Sequence, residues 1–133
     1  MQAQILELLD RLRTSRAMSM LLITHDLGVV AGRTDRVAVM YAGRIVEEAS
    51  TAALFASPGH PYTRGLLASI PRLRGPRQPL RAIPGNVPVP GQWPTGCRFR
   101  PRCDRVMPRC DTEPPVVPTA EGHTMRCWLG ETP

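Results

Sequence analysis

Apolar positions divide the chain into a patterned first half and an irregular second half. Over Gln2–Arg13, Ile5, Leu8, Leu9 and Leu12 recur at helical spacing, with Glu7, Asp10 and Arg11 between them. This predicts an amphipathic helix whose apolar face belongs to a core. Met20-Leu21-Leu22-Ile23 is a short apolar run ending at Thr24-His25-Asp26. Such a run predicts a buried strand, Met18–Thr24, with His25 at its carboxyl end. Asp26 is placed to cap a helix over Leu27–Arg33, because its carboxylate can accept the first free backbone N–H groups. Asp35-Arg36 lead into a second apolar run, Val37–Tyr41. Ala42-Gly43 turns the chain, and Arg44-Ile45-Val46-Glu47 alternates back as the other arm of a hairpin.

Ser50 or Thr51 opens a short helix, Ala52–Ala56, which Ser57-Pro58-Gly59 breaks. Pro61 suits the first turn of a helix over Tyr62–Ile70, with Leu66, Leu67 and Ile70 on one face. After Ile70 the chain is rich in Pro, Gly and Arg, and few apolar positions recur at any period. Such a segment is expected to bury little core unaided and to need a metal or disulfide staple. A boundary is placed near Ser57, with an α/β part over 1–56 and an extension over 57–133. No internal repeat is visible.

Length fits one domain. Seventeen basic and eleven acidic residues leave a net charge of +6, with clusters at Arg72–Arg81 and Arg98–Arg109. Such clusters suit phosphate, nucleic acid or an anionic surface, while a solvated basic face is the plainer reading of Arg72–Arg81. The N-terminus does not read as a secretory leader. No apolar run approaches the ~18 residues of a membrane span. The chain is therefore expected to be soluble, or bound to a membrane through partners.

Two constellations carry candidate chemistry. A lone histidine is more often structural or exposed than a ligand. At a strand's end, however, a neutral imidazole can donate one hydrogen bond and accept another, and in open α/β sheets that end is where ligands collect. The second constellation is Cys97, Cys103, Cys110 and Cys127, separated by five, six and sixteen residues. Four thiolates can hold an iron–sulfur cluster or a zinc ion, or form two disulfides. Zinc ribbons favour close C-x-x-C pairs, which are absent here, so zinc comes second. Iron–sulfur sites tolerate more varied spacing. Arg98, Arg100, Arg102, Arg105, Arg109 and Arg126 interleave with the cysteines and could offset the negative charge of a cluster. Phe99 and Trp128 are expected to shield the site, and His123 to lie at the surface.

Ile23-Thr24-His25-Asp26, Asp35-Arg36-Val37 and Tyr41-Ala42-Gly43-Arg44-Ile45-Val46-Glu47 together resemble the switch-histidine region of ABC transporter ATPases. Ser57-Pro58-Gly59-His60-Pro61-Tyr62-Thr63-Arg64 and the four-cysteine segment narrow the resemblance to the oligopeptide/dipeptide importer subfamily. It covers nearly the whole chain. The implied fold is α/β: the C-terminal remnant of a P-loop ABC ATPase domain over 1–56, then an irregular, Pro/Arg-rich, metal-stapled extension over 57–133. On its own residues, Ser57–Arg64 reads as a loop and helix start dictated by Pro58 and Pro61, with a docking role as the other reading.

The resemblance assigns His25 the role of switch histidine, donating to a γ-phosphate oxygen and helping to align the attacking water. Positioning of this kind is most of what phosphoryl transfer requires. In the family this residue works with a Glu and a Lys of its own subunit and a signature loop of the other. None of these is present here. The chain contains no lysine, so no phosphate-binding P-loop. It also lacks a Leu-Ser-Gly-Gly-Gln signature and an apolar strand ending in Asp-Glu. Gln2-Ala3-Gln4-Ile5-Leu6 resembles the sequence just after the family's D-loop, so Met1 reads as an internal methionine of a longer protein.

The expectation is thus a C-terminal piece of a peptide-importer ATPase subunit, inactive as a hydrolase alone. ATP and magnesium would be held through upstream motifs. Some members of the family carry a 4Fe-4S cluster on these cysteines. The implied partners are a second ATPase subunit, membrane-spanning permease subunits and, indirectly, a peptide-binding protein, at the cytoplasmic side of the cell membrane. No nucleic acid is expected. Two other readings stand beside this one. One is a small basic four-cysteine module binding nucleic acid, which lacks aromatic interleaving and leaves the first half unexplained. The other is a nonfunctional product of a truncated gene.

Overall fold

The computed structural model describes residues 2–70 and 82–131, and side chains from Gln4 onward. The basic cluster Arg72–Arg81 lies outside the described residues. The chain divides into two compact units between Arg33 and Thr34. The boundary expected near Ser57 separates segments of different composition, whereas the sheet of the second unit draws strands from both sides of it. Among the described residues no helix is long and apolar enough to cross a membrane.

The first unit contains helix α1 (Gln2–Ser15) and the short helix α2 (Leu27–Val30). Helix α1 forms where the apolar spacing predicts it. Its exposed flank carries a Glu7–Arg11 pair at 2.7 Å, one helical turn apart. Asp10 of α1 pairs with Arg33 beyond α2. Asp26 caps α2 as expected, its Oδ1 accepting the Gly28 N–H at 2.8 Å, but the helix ends at Val30 rather than at Arg33. The predicted strand Met18–Thr24 is not formed. A strand exists only by hydrogen bonding to a neighbour, and among the described residues no other strand lies in this unit. Leu21 and Ile23 accordingly stand almost fully exposed.

The second unit is built on a four-stranded antiparallel sheet in the order β1-β2-β4-β3. Its strands are β1 (Arg36–Tyr41), β2 (Arg44–Ser50), β3 (Val116–Ala120) and β4 (His123–Arg126). The β1–β2 hairpin turns at Ala42 and Gly43, both at positive φ (47° and 77°). Two left-handed residues are what a two-residue hairpin turn requires. Pairing then slips at a bulge: Met40 faces Ile45 while Val39 faces Glu47, leaving Val46 extra. The bulge breaks the strict alternation of β2, so that adjacent Val46 and Glu47 are both buried.

Helix α3 (Thr51–Ala56) starts at Ser50, whose hydroxyl accepts the Ala53 N–H. Helix α4 (Pro61–Ala68) starts with Pro61 in its first turn, as predicted. The core comprises Val39, Tyr41, Val46, Ala49, Leu54 and Phe99, with Val37, Ala53, Tyr62, Leu66 and Ile83 packed against it. Phe99, from the cysteine segment, sits 5.1 Å from the Tyr41 ring and 5.4 Å from Tyr62. The coarse expectation of mixed helix and sheet holds. The expectation that the second half buries little core does not. It supplies Phe99 and Met125, both nearly inaccessible, and two strands of the sheet.

Candidate functional site

His25 lies in the first unit, exposed at a bend immediately before α2. Thr24 and Asp26 shape that bend, the Thr24 hydroxyl accepting the Asp26 N–H at 3.0 Å. The imidazole is thus open to solvent at the amino end of a capped helical turn.

The four cysteines belong to the second unit. All are free thiols, Cys110 and Cys127 buried and Cys97 and Cys103 partly so. Short 3-10 turns carry or flank them: Arg100–Arg102, Pro108–Asp111 and Trp128–Glu131. Such turns bring backbone N–H groups onto sulfur. Cys97 accepts from Phe99 and Arg100. Cys103 accepts from Arg105 at 3.3 Å, and Cys127 from Leu129. The Cys97 N–H in turn donates to the Cys110 carbonyl at 3.0 Å, tying two arms of the segment together. That approach requires Gly96. Its φ is +71°, and a Cβ there would lie 2.4 Å from the Cys110 carbonyl oxygen.

Burial pushes the Cys103 thiol up to about 11, against the opposing pull of the Arg105 N–H, and Cys127 and Cys97 push it further. Burial likewise raises Cys97 and Cys127, each with help from Cys110. The four sulfurs therefore share one electrostatic neighbourhood. Arg100 favours the Cys97 thiolate and Arg64 of α4 the Cys127 thiolate. Neither arginine overcomes the cost of burial at its cysteine.

Among the described residues, no group of three or more His, Cys, Asp or Glu side chains is close enough to hold one metal ion. A zinc ion, with Zn–S near ~2.3 Å, demands such closeness. An all-thiol set with backbone N–H groups on its sulfurs is the donor chemistry of an iron–sulfur centre, which is larger than one ion. The donor set fits that group in kind.

Most of the interleaved arginines have other work. Arg98 donates to the Ala42 carbonyl at the hairpin tip and lies 4.6 Å over Trp93. Arg102 donates to the Pro84 and Ile83 carbonyls. Arg109 pairs with Glu131 at 2.7 Å and stacks 4.3 Å over Trp128. Arg126 shares Glu113 with Arg44. Arg100 pairs with Asp111. They fasten the segment to itself and to the hairpin.

Sequence reasoning missed a buried polar centre around Glu47, which is 1% exposed. One carboxylate oxygen accepts the Gly59 N–H at 2.6 Å and meets His123 Nε2 at 2.7 Å; the other accepts the His60 N–H at 3.0 Å. An ionised carboxylate only accepts, so His123 donates through Nε2–H. Burial pushes the Glu47 carboxyl up. The fully buried Thr63, the Gly59 N–H, His123 and the His60 N–H oppose that and win, holding it below the usual value. His60 caps α4 by accepting the Tyr62 N–H at Nδ1, 3.0 Å away. Burial pushes its imidazole down to about 4, against the Glu47 charge and a hydrogen bond to the Arg126 backbone. His123, expected at the surface, is buried because Glu47 receives it.

The loop and helix-start reading of Ser57–Arg64 holds but is incomplete. Pro61 does start a helix, but Gly59 and His60 also complete the Glu47 centre. The bulge at Val46, which turns Glu47 inward, leaves no sequence signature. The His-Pro pair after Ser-Pro-Gly was the available hint.

Comparison with known proteins adds a family. Residues 46–110 match the C-terminal region of the oligopeptide/dipeptide transporter family. Over 131 residues, 98% of this chain, it is 52% identical to the oligopeptide transport ATP-binding protein AppD of Bacillus subtilis, covering 40% of that protein. Over 128 residues, 96% of the chain, it is 44% identical to the oligopeptide transport ATP-binding protein OppD of Haemophilus influenzae, again covering 40%. The chain thus spans about two fifths of the length of these relatives.

Proposed function

We propose that this chain, whose residues 46–110 match the C-terminal region of the oligopeptide/dipeptide transporter family and which is 52% identical to an oligopeptide transport ATP-binding protein, works as part of an ATP-binding subunit of a peptide importer. The observation that carries this reading is the 52% identity to an oligopeptide transport ATP-binding protein along 98% of the chain.

In this reading, ATP and magnesium are held by phosphate-binding, signature and acidic-strand motifs that these 133 residues do not contain. His25 supplies the γ-phosphate contact, its exposed imidazole donating to a phosphate oxygen. The subunit pairs with a second ATPase subunit and sits peripherally, at the cytoplasmic side, on membrane-spanning permease subunits that a peptide-binding protein supplies. Cys97, Cys103, Cys110 and Cys127 hold a 4Fe-4S cluster, with zinc as the alternative. Bound there, the centre would supply positive charge to four thiolates, two buried and two partly buried, and tie the cysteine segment together. Phe99 and Trp128 exclude water beside it. Nucleic acid has no place in this reading; among the described residues, Arg98, Arg100, Arg102 and Arg109 of the cysteine segment are bonded within the protein.

Uptake of a labelled oligopeptide tests it. Cells whose ATP-binding subunit carries this sequence should import the peptide, and replacing this segment of the subunit with an unrelated one should abolish import. Unchanged uptake after replacement would contradict the proposal.

A further inference from the structure

We propose that Glu47 is a positioning residue for the four-cysteine centre, placing Cys127 through His123 and Cys97 through His60 and Phe99. The inference rests on the reading of those four cysteines as one ligand set.

Strand β4 meets β2 through only two residue pairs, Glu47↔Met125 and Glu48↔Thr124. So short a pairing fixes register weakly, and a one-residue slip would turn every side chain of β4 to the opposite face. Three things hold it. Met125 is buried, the His60 ring is hydrogen-bonded to the Arg126 backbone at the strand's end, and His123 at the start of the strand is clasped by Glu47 at 2.7 Å, both side chains buried. Cys127 follows directly on Arg126, the last residue of β4. The Glu47–His123 bond therefore sets where the chain delivers that sulfur.

The second arm starts from the other carboxylate oxygen, which accepts the His60 N–H. The His60 ring lies 5.8 Å from Phe99, a nearly inaccessible residue of the core. Phe99 donates its own N–H to Cys97, two residues earlier. One carboxylate on the hairpin thus stands at the root of two chains of contact, each ending at a sulfur. Partners bonded directly to a ligand typically change metal affinity by ~10–100-fold when lost, and Glu47, one contact further out, belongs at the low end of that range.

The test uses the full chain under anaerobic conditions, titrated with ferrous iron and sulfide and, separately, with zinc. His123→Leu removes the donor to Glu47. His123→Gln returns an amide N–H at the same reach. Leu54→Ala removes core packing in the same unit but none of the Glu47 hydrogen bonds. Maleimide labelling of each cysteine in the metal-free protein reads thiol placement directly. His123→Leu should weaken loading ~10-fold and speed labelling of Cys127. His123→Gln should recover most of both, and Leu54→Ala should keep wild-type loading in the folded protein. His123→Leu behaving as wild type in both assays, or Leu54→Ala losing as much, would overturn the proposal. Wild-type protein that takes up neither iron with sulfide nor zinc would instead sink the ligand-set reading. The labelling of Cys127 would then still decide whether Glu47 positions the thiol.

Discussion

The two units of this chain treat their side chains in opposite ways. In the first, Ile5 and Leu8 of a well-patterned helix are 59% and 56% exposed, and Leu21 and Ile23 more so. In the second, Glu47, His60, Thr63 and His123 are buried. Helical spacing decides which residues share a face, but not whether anything covers it. A carboxylate enters a core when enough donors meet it there. Burial follows available partners more closely than it follows residue type.

The largest effect that would break this contrast is the loss of the buried acceptor. Glu47→Ala leaves the Gly59 and His60 N–H groups and His123 without their partner, and should destabilise the second unit by ~4 kcal/mol. Denaturant unfolding followed by Trp93 and Trp128 fluorescence would measure it. A loss below about 1 kcal/mol would mean that water replaces the carboxylate and that the centre is ornamental.

Acid should act on the same centre. The folded protein holds His60 at about 4 against an ordinary 6.5. Between those values the unfolded chain takes up a proton at this residue that the folded chain refuses. Stability is therefore full above pH 6.5 and declines as pH falls toward 4, by up to ~3 kcal/mol. Glu47, held below its ordinary 4.5, adds a loss that begins only as pH falls beneath that value. Unfolding curves between pH 7 and 4 would follow the decline, which His60→Asn should flatten.

The smallest effect belongs to the first unit. Leu8→Gln on the uncovered face of α1 should change stability by no more than ~0.5 kcal/mol. A cost of 2 kcal/mol or more, measured by helix melting in circular dichroism, would mean that this face is covered in solution.

What could be read in the sequence was short-range. Asp26, Ser50 and Pro61 mark helix starts with their own side chains, and Ala42-Gly43 marks the hairpin turn. What could not be read was long-range. Met18–Thr24 has the composition of a strand, but composition supplies no neighbour to pair with. Strands β3 and β4 escaped because His123-Thr124-Met125-Arg126 lacks an apolar alternation, and because Pro118 is tolerable only on an edge such as β3. The four cysteines stood out by type and spacing. The Glu47 centre did not, since one bulged residue turns the carboxylate inward. The arginines between the cysteines read as compensation for a cluster, yet five of the six are tied to carbonyls or acids elsewhere.

The central proposal is that this chain serves ATP-driven peptide import as part of an ATP-binding subunit, with His25 at the γ-phosphate. Its most direct test compares ATP turnover and nucleotide affinity, side by side, in an ATP-binding subunit bearing this sequence with and without His25→Ala. Loss of one group that acts in the transition state should cut turnover by ~10²–10³ and leave nucleotide affinity nearly unchanged. Turnover and affinity falling together, or neither falling, would contradict the account.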